Sequence, residues 1–157
     1  AGCRFLDTLD DIDASEVPQD PRAVAVAGLA GGGWYAFGRN GEGLAGVRKP
    51  LMLAGTLDGD LPYETELRPT FEALGPGRVM FTLEGGGHWA FSDLCTVLTS
   101  LEDCQGAAGG YMEPSRVLEI TQTAVTAHVK AELSDDAGAR AWLEQAAWTP
   151  PEVTVER

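Results

Sequence analysis

No run of about 18 apolar residues occurs, so no helix of this sequence is long and apolar enough to span a bilayer. The first residues lack the basic and apolar segments of a secretory leader. "AGC" at 1–3 is like the end of a lipoprotein cleavage site without the apolar stretch that should precede it, a coincidence or a processed start. Positive charge is scarce: 11 Lys and Arg face 24 Asp and Glu, a net charge of −13 that repels polyanions and excludes nucleic acid as a partner. Internal repeats and low-complexity segments are missing. Histidine occurs only at His88 and His128, and cysteine only at Cys3, Cys95 and Cys104. What remains is 157 residues with 44% hydrophobic content, enough for one globular domain.

An odd cysteine count leaves at least one thiol free or paired with another chain. Cys95 and Cys104 are close enough in sequence to bridge, on one condition. A continuous helix over 95–104 would hold their backbones roughly 13 Å apart, beyond disulfide reach. Either the helix turns before Cys104 or both thiols stay reduced. A bridge implies a secreted or periplasmic protein, and two free thiols a cytoplasmic one.

Three short apolar runs, "AVAVAG" (23–28), "PLMLAG" (50–55) and "VMFTLE" (79–84), show little polar alternation and read as strands buried on both faces of a parallel sheet. Between the last two, Leu67, Phe71 and Leu74 have helical spacing, and Pro69 either kinks that helix or starts its final part. Ser92 and Asp93 can cap a helix with Leu94, Val97, Leu98 and Leu101 on one face. The glycine-rich loop "QGAAGGYME" follows. Pro114 opens the longest helical pattern, through Val117, Leu118, Thr121, Ala124, Val125 and Val129, with His128 as a partly buried structural histidine. Ser134 can cap a last helix. The acidic stretch within 1–20 is a lead-in, and 149–157 a tail. The fold class is therefore α/β, parallel strands with flanking helices. Three strands make a poor sheet, because an edge strand leaves backbone groups unpaired.

In open parallel sheets, reactive groups gather beyond the C-terminal ends of the strands. The second strand runs into "GTLDGDLP" and the third into "EGGGHWAF", so Asp58 and His88 each stand at such an end, one strand-helix-strand unit apart. A carboxylate on one imidazole nitrogen fixes the tautomer and frees the other nitrogen as a general base. Asp60 competes with Asp58 for that role. Calcium binding by "DGD" is excluded, since the next ligand positions fall on Pro62 and Pro69.

Together "LMLAGTLDGDLPYE" and "FTLEGGGHWAFSD" resemble the C-terminal half of an α/β-hydrolase, most similar to the dienelactone-hydrolase-like and platelet-activating-factor-acetylhydrolase-like esterases. The resemblance covers roughly residues 20 to 133. It places the family acid loop, G-x-x-D-x-x-x-P, on Gly55, Asp58 and Pro62, and the family histidine on His88, which favours Asp58 over Asp60. The family's G-x-S-x-G nucleophile is absent. "GLAGG" at 28–32 imitates it with alanine in place of serine, but the segment after it is not the apolar helix that should follow.

The resemblance thus implies a serine-dependent carboxylic-ester hydrolase acting through an acyl-enzyme. Asp58 and His88 would be catalytic, and the serine would come from an N-terminal half supplied as a second chain that pairs with strand 23–28. Such chemistry requires no metal and no organic cofactor. Trp34, Tyr35, Phe37 and Trp89 are candidate substrate-lining residues, with core packing as the alternative; Trp89 and Phe91 also seat the histidine loop. A non-catalytic α/β binding or assembly subunit, with a relic acid-histidine pair, is the competing class.

Overall fold

The computed structural model describes residues 22–33, 41–145 and 150–157. Its centre is two parallel strands, β2 (Leu51–Gly55) and β3 (Val79–Leu83), almost wholly buried. Side chains alternate between the faces of a strand, so an unbroken apolar run must be covered on both. Leu51, Leu53, Phe81 and Leu83 pack on one face with Val117, Ile120 and Ala124. Met52, Ala54 and Met80 pack on the other with Leu67 and Phe71.

The first cover is α2 (Pro114–Leu133), which buries the face Val117, Ile120, Thr121, Ala124, His128 and Ala131 and packs against α3 (Ala137–Gln145). The second is a π-helical turn, Tyr63–Leu67, leading into α1 (Arg68–Ala73). Pro69 stands in the first turn of α1, where its missing N–H costs nothing, so it starts the final part of the helix. Each fully buried leucine or phenylalanine in these layers contributes about 1.5–3 kcal/mol.

The structure departs from the sequence reading in four places. The segment read as a tail supplies β4 (Val153–Glu156), antiparallel to β3, which makes the sheet of the described residues four-stranded in the order β1 (Ala27–Leu29), β2, β3, β4. Val153 is buried and Thr154 exposed, an alternation that suits a strand covered on one face only. The first strand is shorter and later than expected: β1 spans only Ala27–Leu29, parallel to β2, while Val24 and Val26 are exposed. Small alanine side chains give that stretch little to bury.

Third, the helix expected after Ser92 is one short 3-10 turn, Asp93–Thr96, capped by Ser92 Oγ, which accepts from the Leu94 N–H. Val97 is 76% exposed. The chain turns back because Cys95 and Cys104 form a disulfide with their Cα atoms 5.0 Å apart, a separation no continuous helix allows. Residues Glu102–Gly109, which overlap the loop expected over 105–113, form 3-10 turns that kink at Gly106. Fourth, Asp136 replaces Ser134 as the cap of α3: its Oδ1 accepts from the Ala139 N–H at 2.9 Å, and that bond lowers the carboxyl pKa. Ser134 instead closes α2. No helix among the described residues is long and apolar enough to cross a membrane.

Candidate functional site

β2 and β3 end side by side, and the loops that leave them interlock. A Cβ on Gly55 would lie 2.2 Å from the Gly86 carbonyl oxygen, so only glycine permits this approach. The Thr56 N–H donates to Leu83 O at 3.1 Å and the Leu57 N–H to Gly86 O at 3.0 Å, while Thr56 Oγ1 accepts from the Gly85 N–H at 2.9 Å. The bare glycines before His88 let one backbone lie against the other.

On this base the acid loop folds around its own carboxylate. Asp58 Oδ1 accepts from the Asp60 N–H at 3.0 Å and the Leu61 N–H at 2.7 Å, an Asx-type turn that leaves Oδ2 for another partner. That partner is His88, whose Nδ1 lies 2.9 Å from Asp58 Oδ2. The Asp58 side chain is fully buried and that of His88 is 21% exposed. A carboxylate can only accept, so Nδ1 carries a proton, and in the neutral ring Nε2 is the nitrogen with the free lone pair. Asp60 contributes its backbone to the turn and lines the adjoining cleft.

That cleft, about 290 Å³, is lined by Leu57, Gly59, Asp60, His88, Trp89, Leu101, Glu102, Asp103 and Tyr111. The Trp89 ring meets the His88 ring edge to face at 4.7 Å, and Phe91 is buried beneath the loop. Partial burial, followed by the charges of Glu102 and Asp103, raises the Tyr111 pKa. A larger hollow of about 580 Å³ between α2 and α3 contains neither member of the acid-histidine pair.

Asp58, His88 and Trp89 are therefore brought together. Trp34, Tyr35 and Phe37 lie outside the described residues, as does Cys3. Ala30, the alanine of "GLAGG", is buried and packs in the core with Leu51 and Leu53. No Ser, Thr or Cys lines the cleft among the described residues; Ser92 is engaged as a helix cap. Also among the described residues, no three His, Cys, Asp or Glu side chains are grouped to hold a metal ion.

Sequence reasoning missed Leu57, Leu101, Glu102, Asp103 and Tyr111. One signal pointed to Asp103: a Cys95–Cys104 bridge would carry its neighbour back to within a few residues of the histidine loop. No family model matches the chain, and no curated protein matches it significantly.

Proposed function

We propose that this chain supplies the acid and the histidine of a serine-dependent carboxylic-ester hydrolase of the α/β-hydrolase type. The observation that carries the reading is the 2.9 Å contact of His88 Nδ1 with a buried Asp58 carboxylate whose other oxygen is saturated by two backbone N–H groups. The pair stands beyond the ends of adjacent parallel strands, with the imidazole reaching a cleft.

In this reading His88 Nε2 takes the proton from a serine hydroxyl as it attacks the ester carbonyl, and returns it to the leaving alcohol. Asp58 holds the tautomer and stabilises the imidazolium. Water then attacks the acyl-enzyme with the same histidine as base. The serine and the oxyanion donors come from a separate or preceding segment, whose strand adds to the outer edge of β1. Val24, Val26 and Leu29 are exposed there, 42–55% each, an apolar margin that suits a strand partner better than water. An oxidising, secreted or periplasmic setting accords with the disulfide.

The test is ester turnover and labelling by a fluorophosphonate, with the serine-bearing polypeptide identified by mass spectrometry of what copurifies. Hydrolysis of a small chromogenic ester that disappears in His88→Ala supports the reading. A serine-bearing partner that assembles with the chain yet yields neither hydrolysis nor labelling would leave the binding or assembly subunit.

A further inference from the structure

We propose that Asp103 is a positioning residue for His88: a buried carboxylate, backed by the Cys95–Cys104 bridge, that clamps the histidine loop through the Trp89 amide. The inference rests on the reading of Asp58 and His88 as a catalytic pair.

His88 adopts helical backbone angles (φ −69°, ψ −52°) immediately before the 3-10 turn Trp89–Phe91. The first N–H groups of such a turn have no partner within it. An N-cap side chain would ordinarily supply one, but His88 makes no cap hydrogen bond. Asp103 supplies it from 14 residues away: its Oδ2 accepts from the Trp89 N–H at 2.6 Å, the short contact of a charge-assisted bond.

The same side chain lies against the residue on the other flank of the histidine. A Cβ at Gly87 would stand 2.2 Å from Asp103 Cβ and 2.7 Å from its Oδ2, so Gly87 is bare where the brace occupies the space. Residues 87 and 89 are both in contact with Asp103, and His88 is held between them. A second tie comes from the same excursion of chain, the Met112 N–H donating to Gly85 O at 2.8 Å. Cys104, adjacent to Asp103, is bonded to Cys95, only four residues beyond Phe91.

Without the acceptor, the first turn loses the bond that sets where His88 leaves the loop. Misplacing a catalytic group by about 1 Å can cost on the order of 100-fold in rate. Asp103 acts on the imidazole through backbone and so is distinct from Asp58, which touches it.

The signature to read is the His88 Nδ1–H proton of the 157-residue chain, by NMR, as its exchange with water. The wild type should show it protected by Asp58. Asp103→Ala should speed its exchange about tenfold or more, with circular dichroism and the disulfide unchanged. Asp103→Asn retains an acceptor oxygen and should stay within about threefold of wild type, since a neutral acceptor is roughly half as strong. Wild-type exchange in Asp103→Ala, or an Asn variant no better than the Ala one, overturns the brace. Should Asp103→Ala fail to fold, the Asn variant decides: faster exchange at the Trp89 amide accompanied by a rise of up to about threefold at the His88 ring supports the brace, and a change at Trp89 alone overturns it. A wild type without a protected Nδ1–H overturns the Asp58–His88 pair and the brace with it, whereas a retained signal in Asp103→Ala removes the brace alone.

Discussion

His88 and His128 stand in regions built to different degrees. Around His88 the polar groups are matched: Asp58 on Nδ1, two N–H groups on the far oxygen of Asp58, and Asp103 on the following amide. Around His128 they are not. Its ring is buried in α2 beside the Val26 backbone, and Nε2 has no partner among the described residues. Beside Val26 the chain exposes apolar side chains and pairs β1 on one side only among the described residues. Buried polar networks repay their desolvation only when complete, so the loops after β2 and β3 have the marks of a finished device. The margin at β1 keeps Val24, Val26 and Leu29 exposed. At the opposite edge β4 likewise pairs on one side only among the described residues, but Glu156 there is paired with Arg68 and Tyr63.

The largest effect should come from breaking the finished region at its reactive atom. On the proposed assembly with a serine-bearing segment, His88→Ala should lower ester turnover by on the order of 10⁴, about 5.5 kcal/mol of transition-state stabilisation. A loss under about tenfold, on protein with an unaltered fold, would remove His88 from the chemistry. Next is the seam between the two loops. Gly55→Ala sets a methyl against a backbone oxygen that cannot swing aside, and should cost about 3 kcal/mol, the upper end for overpacking. Urea midpoints measure it, and a neutral result would show that the loops slide freely.

Reducing Cys95–Cys104 acts on the outer part of the same region. Closing a loop of about ten residues lowers unfolded-chain entropy by about 2.7 kcal/mol, so the reduced protein should be less stable by that amount. Thermal melts with and without a phosphine reductant test this. An unchanged midpoint after complete thiol labelling would mean that non-covalent contacts alone hold residues 93–109.

The contrast also tracks what the sequence made legible. β2, β3, α2 and the Asp58–His88 pair were readable because each depends on local signals: unbroken apolar runs, a helical stripe behind Pro114, and glycines flanking an acid and a histidine at strand ends. Residues 93–109 were not. Leu94, Val97, Leu98 and Leu101 have faultless helical spacing, but covalent closure between Cys95 and Cys104 overrides it and leaves Val97 in solvent. β4 was hidden because Val153 and Val155 gain a strand's burial only from β3, far away in sequence, and two prolines precede them. Asp103 reads as one more acid in an acidic chain until Trp89 is placed against it. The roles of the α/β-hydrolase type rest on resemblance and on the pair's geometry together.

The smallest effect should appear at the other histidine, and its sign follows from burial. Desolvation lowers the His128 pKa below its usual 6.5, and the Glu132 charge and the nearby Val26 backbone offset this only in part. Glu132 is itself ion-paired with Lys49. The folded chain therefore binds this proton less readily than the unfolded chain. Just below pH 6.5 the unfolded state holds more protons, so stability rises with pH through that window. It is fully present above the unfolded value and drains away as pH falls toward the folded one. His128→Gln keeps a polar side chain of similar reach but cannot titrate. Urea midpoints taken between about pH 5 and 8 should thus fall more steeply on the acid side for the wild type than for His128→Gln, with a constant difference above about pH 7. Carboxylates elsewhere titrate in both proteins and cancel in the difference. Parallel curves would mean that the His128 pocket admits water and that the margin beside Val26 is looser than its buried ring implies.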